Sequence, residues 1–159
     1  MKKGIMILLF CIFIGIVTGC GSKEKESVQD KTVTCTLSQN FSSYEIKSTY
    51  TIYSKGDAVD KVEISETATS DNEEIINSLE TAFNAQYTTL NNKYNGYTNT
   101  VTKNGSKVEN KATADYNEID INKFIEDNEL LKEYVNSDNR LTLNGIIAFY
   151  EGNNATCEK

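Results

Sequence analysis

Polar and apolar positions change their period several times along this chain, and the changes mark out its elements. From Tyr44 the even positions Tyr44, Ile46, Ser48, Tyr50 and Ile52 alternate with Glu45, Lys47, Thr49 and Thr51. A period of two predicts a half-buried strand with one wet face. Upstream, Lys31 to Ser38 is rich in β-branched residues and predicts a first strand. Downstream, Lys55-Gly56-Asp57 predicts a tight turn, followed by a partner strand with Val62 and Ile64 inward and Lys61, Glu63 and Ser65 outward.

The period then lengthens. Ile75, Ile76, Leu79, Phe83, Tyr87, Leu90 and Tyr94 form a stripe at helical spacing. Ser70-Asp71-Asn72-Glu73 predicts a capping box at its start, and Gly96 its end. Asn104-Gly105 between two extended segments (Tyr97 to Lys103, Ser106 to Glu118) predicts a hairpin whose polar strands lie toward a sheet edge. Asp120 caps a second helix bearing Phe124, Ile125, Leu130, Leu131 and Tyr134, and Thr142 a short third one bearing Ile146, Ile147, Phe149 and Tyr150. The order β-β-β-α-β-β-α-α predicts an α+β domain, an antiparallel sheet of about five strands with helices packed on it.

The N-terminus follows a different logic. Lys2-Lys3, an apolar run from Ile5 to Val17, and Thr18-Gly19-Cys20 make a secretory signal too short to span a bilayer, which takes about 20 apolar residues. Val17-Thr18-Gly19-Cys20 resembles the bacterial lipobox. The resemblance implies a diacylglyceryl thioether on Cys20, cleavage after Gly19, and anchoring by lipid on the extracytoplasmic face of a cell membrane. The expected organisation is therefore a signal peptide over 1–19, a lipidated polar stalk over 20–31, and a single domain over 32–159. Richness in Asn, Lys, Ile and Tyr points toward a low-GC Gram-positive source.

Composition narrows the chemistry. The chain carries a net charge of −7, and loss of Lys2 and Lys3 with the leader leaves 14 basic against 23 acidic residues, or −9. Such a surface repels nucleic acid and anionic headgroups. There is no His, Pro or Trp. The commonest general base near neutral pH, the Ser-His and Cys-His nucleophile pairs and the usual zinc ligand are thus missing. No glycine-rich phosphate loop appears, and no cofactor is expected.

Of four cysteines, Cys11 leaves with the leader and Cys20 takes the lipid. In an exported domain Cys35 and Cys157 are expected to form a disulfide closing a loop of more than 120 residues. Two free thiols or a metal pair are the alternatives, the latter poorly served by two sulfurs without His. Carboxylates cluster at Asp57/Asp60, Glu73/Glu74 and Glu126/Asp127/Glu129, but no pair stands out for acid–base work, and charged helix faces account for them. Asp71-Asn72-Glu73 and Asp138-Asn139 lack calcium-loop spacing and suit capping and turns. Among nine tyrosines, Tyr44, Tyr50, Tyr53 and Tyr116 are the candidates for a groove binding a glycan, peptide or envelope protein. Their commonplace role is to fill half-buried strand positions, but Tyr53 falls on the outward parity.

Lipobox, stalk, Thr49 to Asp57 (Thr-Tyr-Thr-Ile-Tyr-Ser-Lys-Gly-Asp), a Tyr-rich helix followed by a hairpin, and a terminal Thr142-to-Gly152 helix together resemble the YehR-like small bacterial lipoproteins. The likeness covers roughly Thr32 to the end. It implies an α+β lipoprotein of unestablished biochemical role and supplies no catalytic residues. The Cys35/Cys157 pair departs from the enterobacterial member, so the disulfide rests on the residues alone. The expected function is non-enzymatic binding at the cell envelope. A small-ligand carrier and a carboxylate-based hydrolase are the alternatives.

Overall fold

The computed structural model describes residues 30–158. The leader, Cys20 and nearly all of the stalk lie outside the described residues. Within them, six strands form one antiparallel sheet in the order β4-β5-β3-β2-β1-β6. The strands are β1 (Asp30–Asn40), β2 (Glu45–Lys55), β3 (Ala58–Thr69), β4 (Tyr97–Asn104), β5 (Lys107–Asp115) and β6 (Thr156–Glu158). The helices are α1 (Glu73–Lys93), α2 (Ile121–Asp127) and α3 (Leu143–Gly152), with a 3-10 turn at Glu129–Tyr134.

The alternation in β2 does what a period of two requires: Ile46, Ser48, Ile52 and Ser54 are buried. The register carries this parity across the sheet. Val33, Ile52, Val62, Ala114 and Tyr97 form one cross-strand row, and Gln39, Ile46, Ala68, Val108 and Lys103 another. Onto this face α1 lays Ile76, Leu79, Phe83 and Tyr87, over β3, β4 and β5. Toward the other edge α3 contributes Ile146 and Ile147 to the same core, near β1 and β6.

Four details differ from the sequence expectation. Asn72, not Ser70, caps α1: its Oδ1 accepts from the backbone N–H groups of Glu74 at 2.9 Å and Ile75 at 3.4 Å. Asn is as good a cap as Ser, and Ser70 instead donates to the Ser43 carbonyl at 2.7 Å, tying the helix start to the β1–β2 turn. The polar strand β5 is interior, and only β4 lies at that edge. The expected second helix breaks at Asn128, whose side chain donates to the Phe124 carbonyl at 2.7 Å and whose backbone N–H goes to Ile125. The sheet also has a sixth strand, β6, beside β1. The caps at Asp120 and Thr142 are present, accepting from Lys123 at 3.2 Å and Gly145 at 3.1 Å.

Gly96 does more than end a helix. Its φ is +80°, and a Cβ there would stand 2.7 Å from both the Asp115 carbonyl oxygen and the Glu118 Cβ. The chain between α1 and β4 passes too close to the end of β5 for any other residue.

Candidate functional site

The cysteines settle first. Cys35 in β1 and Cys157 in β6 face each other in register and form a disulfide. Cys35 is fully buried. The bond pins a three-residue edge strand that backbone pairing alone would hold weakly.

The four tyrosines do not converge. Tyr50 points into the core, stacked on Tyr150 of α3 with ring centroids 4.2 Å apart. Tyr116 follows β5 and meets Phe124 edge-on at 5.6 Å. Burial raises the pKa of both hydroxyls, keeping them neutral. Tyr44 stacks on Phe41 at 4.4 Å by the β1–β2 turn. Tyr53 alone lies on the opposite face, as its parity requires. It donates to Glu63 at 2.8 Å, and Lys61 Nζ sits 4.4 Å from its ring centroid. That hydrogen bond raises the Tyr53 pKa, and Lys61 followed by Tyr53 lowers that of Glu63.

Two features escaped the sequence reading. The first is inside. On the core face Leu37, Ser48, Glu66, Asn110 and Val101 form a row beneath α1, so an acid and an amide occupy central apolar positions. Glu66 accepts from the Tyr87 hydroxyl and from Asn110 Nδ2 at 3.1 Å. Burial raises its pKa, against hydrogen bonds from Tyr87, Asn110 and Ser48 that lower it. Asn110 is wholly buried and its Oδ1 has no partner among the described residues. The parity that places Val62 and Ile64 inward also places Glu66 inward.

The second is the other face of the sheet. The helices pack on the core face, while the opposite face displays three cross-strand rows. These are Thr34-Thr51-Glu63-Thr113-Thr98, Thr36-Thr49-Ser65-Lys111-Thr100 and Ser38-Lys47-Thr67-Glu109-Thr102. Eleven of these fifteen positions bear a hydroxyl, so the rows hydrogen-bond both ways and themselves hold no apolar anchor. A groove of about 430 Å³ runs across it between β2 and β4, with Thr49, Thr51, Ser65, Thr98, Thr100 and Thr113 among its walls. Its charges are mostly matched: Lys61–Glu63 at 2.7 Å, Lys107–Glu109 at 2.8 Å and Lys47–Glu45 at 3.1 Å. Lys111 forms no ion pair among the described residues.

Two carboxylates from the acidic clusters are held by partners. Asp60 pairs with Arg140 at 2.6 Å, and Asp127 with Lys93 at 2.9 Å and with the Tyr94 hydroxyl at 2.8 Å. Asn139 takes a left-handed turn conformation, φ 58°, and its Nδ2 donates to Asn122.

Together these features define a two-layer α+β domain, with its helices on one sheet face and the other face bare and hydroxylated. The fold is the one that the sequence resemblance implies: the chain is similar to the YehR protein of E. coli, whose NMR structure superposes with a TM-score of 0.55 at 15% identity, over 82% of this chain and 93% of that one. It is also similar to a protein from Streptococcus pneumoniae TIGR4, with a TM-score of 0.47 at 14% identity over 92% and 94% of the two chains. No protein-family model and no curated protein matches it.

Proposed function

We propose that this chain is a lipid-anchored protein of the cell envelope whose domain binds a ligand without transforming it, and that the bare sheet face is the binding surface. The observation that carries the reading is the division of the sheet. One face is covered by helices and fills the core, while the other exposes a grooved lattice of hydroxyls. The anchor follows from the lipobox at Cys20 and the polar stalk after it. The lack of His and the pairing of Asp60 and Asp127 with cations support binding over acid–base chemistry. The carrier reading is less well served, because the space between sheet and helices holds the stacked rings of Tyr50 and Tyr150 and the Tyr87 side chain.

Two measurements test this. Cys20→Ala is expected to abolish lipid labelling and leave an unprocessed precursor; labelling that persists refutes the anchor. The purified protein incubated with envelope polymers is expected to retain one of them unchanged in mass. Release of cleaved or modified product refutes the non-enzymatic reading.

A further inference from the structure

Resting on that reading, we infer that the ligand of the bare sheet face is an uncharged polysaccharide of the envelope, bound along the groove between β2 and β4 with Tyr53 at its rim. Three observations exclude the other classes. A protein partner is ordinarily held by exposed aromatic or aliphatic anchors. The only exposed large hydrophobic among the described residues is Phe41, 45% exposed, and it belongs to the β1–β2 turn; beside the rows of this face stands one aromatic, Tyr53, short of the cluster of anchors that a protein interface uses. A polyanion meets a chain of net charge −7, and among the described residues the three cross-strand rows carry one cation outside an ion pair, Lys111. A polycation meets Glu63 and Glu109, each already held by a lysine.

What remains fits a chain of hydroxyls and amides. Threonine and serine hydroxyls both donate and accept, and they stand in rows at the spacing of adjacent strands, about 4.8 Å. Such an array satisfies sugar hydroxyls along a strand of rings without demanding a charge. Asn99 adds an amide to the groove wall. Glu63 is the hinge of the arrangement: it lines the groove and accepts from Tyr53 and Lys61. The flat Tyr53 ring is therefore fixed beside the hydroxyl lattice, where a sugar ring can lie against it. The isolated outward tyrosine and the threonine rows become parts of one site.

The test uses the full lipidated protein in detergent micelles, with backbone amide NMR shifts as the readout. The probes are a neutral N-acetylglucosamine hexamer and dextran, an anionic poly(glycerol phosphate), and an uncharged Ser/Thr/Asn-rich peptide. A neutral glycan is expected to shift amides of β2, β3, β4 and β5 around Thr51, Ser65, Thr100 and Thr113. The double substitution Thr100→Val/Thr113→Val keeps side-chain shape and strand preference. It is expected to weaken that binding by at least about fivefold through the loss of two hydrogen bonds, while thermal unfolding stays within a few degrees of the parent. Tyr53→Leu is expected to weaken it independently.

If the anionic polymer or the peptide shifts these amides and neither neutral glycan does, the ligand class is wrong and the binding face stands. If no probe shifts them, or the shifts fall elsewhere on the domain, both the ligand class and the face are overturned. Unaltered glycan binding by the double variant likewise overturns the site.

Discussion

Replacing Glu66 with Gln is expected to make the protein more stable at neutral pH, by an amount that depends on pH in a calculable way. Burial is the main cause of the raised Glu66 pKa, whose ordinary value is 4.5. Below that pH both the folded and the unfolded chain keep the proton, and the residue contributes no slope. Above it the unfolded chain releases the proton while the folded chain holds it. The unfolded state then binds fewer protons, and folding stability falls as pH rises, by at most about 1.4 kcal/mol per unit. The fall ends once the folded pKa is passed and both states are ionised. Gln has no such proton, so the difference between variant and parent grows from pH 4.5 upward and then levels off.

A second contribution adds where folded Glu66 is ionised, because a carboxylate only accepts while a protonated carboxyl already supplies an O–H donor. Tyr87 and Asn110 Nδ2 still find an acceptor in the Gln carbonyl, and the new Nε2 adds a donor to a cluster where Asn110 Oδ1 lacks one. A satisfied buried acceptor contributes about 1 kcal/mol. Urea unfolding of both proteins at a series of pH values from 4 to 9 gives the two curves, and their difference removes every other titrating group. Parallel curves would refute the reasoning, for they would mean that Glu66 ionises alike in both states. A Gln variant less stable than the parent at pH 8 would refute it equally.

Two further outcomes follow from the backbone and the bridge. Cys157→Ser opens a loop of 122 residues, and the chain-entropy account puts the loss near 4.9 kcal/mol, within the usual range of about 2–5. Denaturant titration that finds less than about 1 kcal/mol would show that the unfolded chain gains little freedom. Gly96→Ala, at φ +80° and with its Cβ 2.7 Å from a carbonyl oxygen, is expected to cost about 1–3 kcal/mol. A thermal midpoint equal to the parent's would show that the α1–β4 connection yields.

The elements with a strong period are legible from residues alone: the parity of β2, the stripe of α1, and the caps at Asp120 and Thr142. The rest fails for identifiable reasons. Three residues, Thr156–Glu158, are too few to show alternation, and their pairing with Thr34, Cys35 and Thr36 is set by tertiary contact rather than by local pattern. The apolar positions Phe124, Ile125, Leu131 and Tyr134 suit one continuous helix, and only the Asn128 side chain turning back on Phe124 shows the break. β5 reads as an edge because Asn110 and Lys111 interrupt it, although Asn110 is buried against Glu66. The outward parity of Tyr53 is legible in its strand, since Tyr50 and Tyr53 are three residues apart and so lie on opposite faces, and that same parity keeps the four tyrosines from sharing one groove. The hydroxyl lattice is the hardest to foresee. Each strand shows its own alternation, but the rows appear only when the order β4-β5-β3-β2-β1 is known.

The Cys35–Cys157 bond also bears on how the domain responds to being pulled. A force on the N-terminal side of the domain enters at Asp30 and runs along β1. There eleven register pairs join it to β2, with hydrogen bonds lying across the direction of pull. They resist together, in shear, rather than opening one at a time. Only Asp30 to Thr34 precede Cys35, so the sheared strand is also held by a covalent bond five residues in. The pull then passes through sulfur to Cys157 and α3, near the opposite end of the chain, and the 122-residue loop between the two cysteines cannot be drawn out. A pull entering by the first strand therefore meets a covalent stop before it can unravel the sheet.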